Sequence, residues 1–145
     1  MKWITREKIK VDRVACPWLI KHFVDPEAEF VFLPHATDWS KIDNGIVFDV
    51  PNCELGHHGE ECSFDAIVKK YALDKKDPAL VELAKIVRGA DTSNRTLTLQ
   101  SEGLLAIAHG FSMNSKDDHD NMNKQFYVYH ALYTFCKWKL SNPNH

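Results

Sequence analysis

Glu29-Phe30-Val31-Phe32-Leu33, closed by Pro34, and Ile46-Val47-Phe48-Asp49-Val50, closed by Pro51, decide the fold class. Both runs are short and dense in aromatic and β-branched residues, which predicts strands. Residues 3–5 supply a short third candidate. Upstream of the first run, residues 12–24 read as a helix, with Trp18, Leu19 and His22 near one face. Pro17 suits only a first turn, so the regular helix is expected to begin near Cys16.

After residue 60 the apolar spacing turns helical. Ser63 is the expected cap of a helix with Phe64, Ile67, Val68 and Tyr71 on one stripe. Asp77-Pro78 opens a second, with Leu80, Leu83, Ala84 and Val87 inward and Gly89 as its stop. Ser101 is the expected cap of a short helix holding Leu104, Leu105 and Ala108 and ending near Gly110. The longest helix is expected over 117–139, with Met122, Phe126, Tyr129, Tyr133 and Cys136 as its stripe. Asp117 and Asp118 suit its positive N-terminus. The sum is an α-rich α+β single domain over residues 1–140, with a sheet of two to three strands and four to five helices. Residues 141–145 read as a polar, frayed tail. The order of the strands is not legible.

The 145 residues carry a net charge of −2 and show neither a basic excess nor a basic stripe, which argues against nucleic acid as a partner of this chain alone. The mean hydropathy is −0.36, and no apolar run approaches the roughly 18 residues that span a bilayer. The first residues lack the apolar core of a secretory signal. A cytoplasmic protein with no membrane partner is expected. In that setting the four cysteines, at 16, 53, 62 and 136, are not expected to form disulfides. They contain no C-x-x-C pair, which argues against a closed zinc knuckle.

The eight histidines direct attention to the polar clusters. Gly56-His57-His58-Gly59-Glu60-Glu61-Cys62-Ser63-Phe64-Asp65 gathers imidazoles, carboxylates and a thiol just before a helix. Asp91, in Arg88-Gly89-Ala90-Asp91-Thr92, falls on the buried stripe of the preceding helix, where a carboxylate needs a partner. His119, in Asp117-Asp118-His119, prolongs the inward stripe of the last helix. All three clusters lie at helix termini. One convergent arrangement places His58, Glu61, Asp91 and His119 around a divalent metal, with His57 as the alternative imidazole and Cys62 and Asp118 as further candidates. Mixed nitrogen and oxygen donors leave iron, zinc, manganese and nickel open. The blander reading of each cluster is a solvated loop, a helix-ending turn or a core-edge histidine.

A fourth cluster is Asp12-Arg13-Val14-Ala15-Cys16-Pro17-Trp18. A thiol near a helix N-terminus is expected to have a lowered pKa, so Cys16 joins His57 as a candidate catalytic group. The same terminus, with Arg13, would attract an oxyanion. Arg88 is the second candidate oxyanion ligand. The blander reading is a small buried cysteine beside a core tryptophan.

The string Asp-Arg-Val-Ala-Cys-Pro-Trp-Leu-Ile at 12–20 resembles the C-terminal domain of the chromate resistance protein ChrB family. So, in order, do Asp-Pro-Glu-Ala-Glu-Phe at 25–30, Glu-Leu-Gly-His-His-Gly-Glu at 54–60, Cys-Ser-Phe-Asp-Ala at 62–66, Ile-Val-Arg-Gly-Ala-Asp-Thr at 86–92 and Asp-Asp-His at 117–119. The resemblance covers residues 3–138. It implies a role in chromate resistance, as a sensor or accessory detoxification domain. In the family this domain often follows an N-terminal DNA-binding region, which this sequence lacks, so transcriptional regulation is not expected of this chain alone.

Three functions therefore compete. One is a metal-binding domain that senses chromate or another small oxyanion. One is a metal-dependent enzyme, hydrolytic or redox, acting on a small substrate. The last is a direct thiol reductant working through Cys16 or Cys62, disfavoured because no paired resolving cysteine is evident. A homodimer is left open.

Overall fold

β1 (Lys2–Arg6) lies at the centre of a parallel sheet, between β2 (Glu29–Leu33) and β3 (Ile46–Val47), in a computed structural model that describes residues 1–144. Trp3 stands opposite Phe30 on one side and Ile46 on the other. Trp3, Ile4 and Thr5 are all buried, as befits a strand covered on both faces. β3 is shorter than the apolar run 46–50. Phe48 still donates its N–H to the Ile4 carbonyl, but Asp49 turns into the left-handed region at φ 51° and the strand ends.

β1 and β2 are joined through α1 (Asp12–Leu19), which begins at Asp12 rather than near Cys16. Pro17 sits inside it. The missing proline N–H deprives the Arg13 carbonyl of its helical partner, and the helix continues as a π-turn over Ile20–Val24. The Asp25 N–H closes that turn on the Ile20 carbonyl at 2.7 Å.

The helical half comprises α2 (Ser63–Lys70), α3 (Leu73–Lys76), α4 (Pro78–Asp91), α5 (Ser101–Asn114) and α6 (Asp118–Ser141). Among the described residues this gives an α+β domain of three strands and six helices, the single-turn α3 being the unforeseen one. Four of their termini depart from expectation. Cys62, not Ser63, occupies the cap of α2, and its N–H donates to Asp65 Oδ2 at 3.0 Å. Ser101 is the first helical residue of α5, and that helix runs past Gly110. Gly89 does not stop α4, because its lack of a side chain serves packing. A Cβ there would lie 2.2 Å from Ser101 Oγ. The Ser101 hydroxyl instead reaches across the gap to the Ile86 carbonyl at 3.0 Å. Asp77 caps α4 as the sequence predicts, and Asp117, expected at the start of α6, caps that helix.

The core is a single apolar cluster built on Trp18, Phe48, Phe64, Leu80, Leu83 and Tyr129. α6 packs against α1 and α4 and runs through Ser141, so the expected tail begins one residue later; His145 lies outside the described residues. No helix among the described residues is long and apolar enough to cross a membrane.

Candidate metal centre

All three parallel strands deliver the chain to the same end of the sheet. The segment leaving β1 begins α1 with Asp12, and the segment leaving β3 carries Asp49. β1 has its successor β2 on one flank and β3 on the other, so chain direction diverges between β1 and β3. In open parallel sheets, the crevice at such a reversal, at the carboxyl ends of the strands, is where ligands bind.

Three carboxylates meet one imidazole there. His57 Nε2 lies 3.0 Å from Asp91 Oδ2, 3.4 Å from Asp49 Oδ1 and 3.5 Å from Asp12 Oδ2. Among the described residues, Asp12, Asp49 and His57 form the one group of three whose donor atoms all lie within 4.8 Å of one another.

Each member is held by its own local structure. Asp12 is fully buried at the start of α1. It accepts the Ser63 and Phe64 N–H groups of the α2 N-terminus at 2.8 and 3.1 Å. The helix dipole therefore supports its negative charge, and Oδ2, the oxygen nearer His57, keeps a second lone pair beyond the Ser63 hydrogen bond. Asp49 accepts the Ser63 hydroxyl at 2.6 Å and Arg13 Nε at 2.8 Å. Asp91 closes α4, two residues beyond Gly89, the expected stop. His57 sits in the loop between Asp49 and α2 and is half-exposed.

The electrostatics follow from this crowding. Hydrogen bonds to Asp12, Asp49 and Asp91 hold the His57 imidazolium, whose pKa is pushed up to about 12. Burial, and then the nearby Asp49 charge, raise Asp12 to about 7. Burial likewise raises Asp91. Asp49 is also buried, but the His57 hydrogen bond and the Arg13 charge outweigh that and hold it below the usual carboxylate range.

The expected ligand set is not assembled. Of His58, Glu61, Asp91 and His119, only Asp91 reaches the cluster. His58 Nε2 bonds the Glu54 carbonyl at 2.7 Å, and Glu61 pairs with Lys69. His119 lies edge-on to Phe32, with ring centroids 4.9 Å apart. Asp118 accepts the Lys8 and Ile9 N–H groups and so fastens α6 to the loop after β1. Arg13 and Arg88 are also separated. Arg13 is on Asp49, whereas Arg88 donates to Asp65 at 3.2 Å and lines a different cavity, with Glu60 and Thr92.

The lowered thiol pKa expected at Cys16 is reversed. Burial and the Asp12 charge push it well above the ordinary value, and Cys16 Sγ donates to Asp12 Oδ1 at 3.4 Å. Burial and the same charge raise the Cys62 thiol. Two residues of the cluster, Asp12 and Asp49, were absent from the expected site. The available signal was Asp49 itself, a carboxylate inside the apolar run Ile46–Val50, where burial demands a partner.

Fold and site together define an α+β domain with a carboxylate–imidazole cluster at the carboxyl ends of a small parallel sheet. Residues 3–136 match the family model described as ChrB, C-terminal domain. The chain belongs to that family, as the motifs at 12–20 and 54–66 predict. It is 31% identical over 133 residues to Protein ChrB of Cupriavidus metallidurans, an alignment covering 92% of this chain and 40% of that protein. The chain thus spans about two fifths of that relative's length. No solved structure matches it.

Proposed function

We propose that this chain is a metal-binding domain of the chromate resistance family, holding one divalent cation between Asp12, Asp49, His57 and Asp91. The observation that supports this reading is the set of 3.0–3.5 Å separations between His57 Nε2 and the three carboxylates. Donors bound at ~2.1 Å in a tetrahedral or octahedral shell stand about 3.0–3.4 Å apart, which the His57-to-carboxylate separations approach; Asp12, Asp49 and His57 lie within 4.8 Å of one another, and Asp91 joins them through His57. Oxygen donors with one imidazole suit manganese, iron or zinc, and no thiolate is included to select a softer ion. A cation there would also relieve the repulsion that raises Asp12. Of the ligands the sequence suggests, this reading keeps Asp91, leaves out His58, Glu61 and His119, and adds Asp12, Asp49 and His57.

Within this reading the domain serves chromate resistance as an accessory or sensing unit. A metal-dependent enzyme is the second reading. It is favoured by the position of the centre, since the switch-point crevice of a parallel sheet is where small molecules are bound and processed.

Elemental analysis of the purified protein and calorimetric titration with Mn²⁺, Fe²⁺, Zn²⁺ and Ni²⁺ test the proposal. About one ion per chain is expected, lost in His57→Ala and Asp49→Asn and retained in His58→Ala and His119→Ala. Failure to take up any of the four ions overturns it, as does loss of metal in His58→Ala or His119→Ala with retention in His57→Ala.

A further inference from the structure

Arg6 ends β1 and Arg13 lies in the first turn of α1, and the two border a pair of adjoining cavities. The smaller, about 280 Å³, is the mouth of the centre and also meets Asn52 and His57. The larger, about 740 Å³, extends from the same two arginines past Lys8, Lys10 and Lys116. A volume of this order is that of a small-molecule site.

The lining is cationic in a chain of net charge −2. Among the described residues, Arg6, Lys8, Lys10 and Lys116 form no ion pair with a carboxylate. Lysines elsewhere do, as at Lys69–Glu61, Lys70–Glu54, Lys85–Glu82 and Lys124–Asp120. The aspartates of the groove are already engaged. Asp118 accepts two backbone N–H groups of the β1–α1 loop, and Asp117 caps α6. Glu7 is the one carboxylate there whose oxygens have neither a hydrogen bond nor an ion pair among the described residues.

The walls are also held in an uncommon conformation. Lys8, Val11, Asp49 and Asn52 adopt positive φ of 61°, 31°, 51° and 65°, and Val11, being β-branched, is the costliest case. The fold maintains it through Tyr129, whose hydroxyl donates to the Val11 carbonyl at 2.9 Å, and through Asn121 on the Ile9 carbonyl. This loop therefore presents Lys8 and Lys10 to the groove and Asp12 to the centre.

We propose that this groove binds a small-molecule phosphate monoester, with its phosphate between Arg6 and Arg13 beside His57 and the remainder of the molecule along Lys8, Lys10 and Lys116. Guanidinium forks match the paired oxygens of a phosphate, and ammonium groups further out add charge without fixed geometry. The inference names the ligand class of the centre described above. It rests on that reading only for the metal beside the phosphate.

The probes are AMP, inorganic phosphate and, as the uncharged control, adenosine, titrated by calorimetry into metal-free and metal-loaded protein. Saturable binding of AMP is expected, with weaker binding of inorganic phosphate and none of adenosine. Lys10→Glu and Lys116→Glu, at exposed positions, are each expected to weaken AMP about tenfold. Circular dichroism melts and metal content should stay unchanged. Absence of saturable AMP and phosphate binding by folded, metal-loaded protein overturns the inference, as does binding that neither charge reversal alters or that adenosine equals. Metal uptake without AMP binding defeats this inference alone. AMP binding without metal uptake defeats the metal reading alone.

Discussion

His57 keeps its proton through the physiological range because three carboxylates face one ring nitrogen. In the unfolded chain that proton leaves near the ordinary value of 6.5; in the folded chain it leaves at about 12. The stabilisation from His57 is therefore complete below about 6.5 and is lost progressively as pH climbs toward about 12. Asp12 acts in the same direction: its folded value of about 7 exceeds 3.8, so the cost of burying its charge grows across that interval. Asp49, lowered, is ionised in both states at neutral pH and adds no slope there. The folded state thus binds more protons than the unfolded one, and stability falls with rising pH. Metal-free protein is expected to melt at a lower temperature at pH 8 than at pH 5.5, with a flatter dependence in His57→Ala. A Tm that rises over this interval in metal-free protein would contradict the assignment. A metal ion must displace the same proton, so the proposed affinity rises with pH. The thiols give a second test at this scale. Cys16, Cys62 and Cys136 are buried and Cys53 is half-buried. A disulfide reagent is expected to titrate Cys53 first and the other three only on unfolding. Rapid modification of Cys16 would restore the thiol chemistry that its burial argues against.

Helix and strand positions were legible where a pattern repeats. The stripes Phe64–Val68 and Leu80–Val87 and the cap Asp77 are local signals, and the structure follows them. The errors fell where a contact from elsewhere in the chain overrides the local signal. Gly89 reads as a helix stop, yet the approach of Ser101 makes it a packing residue and α4 continues to Asp91. Gly89→Ala tests this directly. Helix propensity alone would make it stabilising by about 1 kcal/mol. The Ser101 contact instead predicts a loss of about 1–3 kcal/mol in chemical denaturation. Pro17 reads as a helix start and lies inside one, because burial of Trp18, Leu19 and Ile20 compensates for its lost hydrogen bond.

The proposed centre draws on four separate stretches of chain, at residues 12, 49, 57 and 91, so it exists only while the whole domain is folded. A ligand that binds the native state alone stabilises by mass action, about 2.7 kcal/mol at a hundredfold excess over Kd. Metal-loaded protein is accordingly expected to melt higher than protein treated with EDTA, and this increment should vanish in Asp12→Asn. An unchanged Tm on adding saturating metal would count against the centre. Long-range ties hold the surrounding frame, and Tyr129 to Val11 is the clearest. Tyr129→Phe is expected to cost about 1 kcal/mol.

The sequence by itself determined the family, the α+β class, the strands and most helices, because these follow from motif order and from periodicities spanning only a few residues. It also marked His57 and Asp91 as reactive candidates through their polar clusters. Tertiary structure alone decided which carboxylates share a site. Asp12 and Asp49 come together because β1 and β3 are neighbours in the sheet, a pairing that no local pattern encodes. For the same reason His119, expected to face inward, is exposed and meets Phe32 rather than the centre.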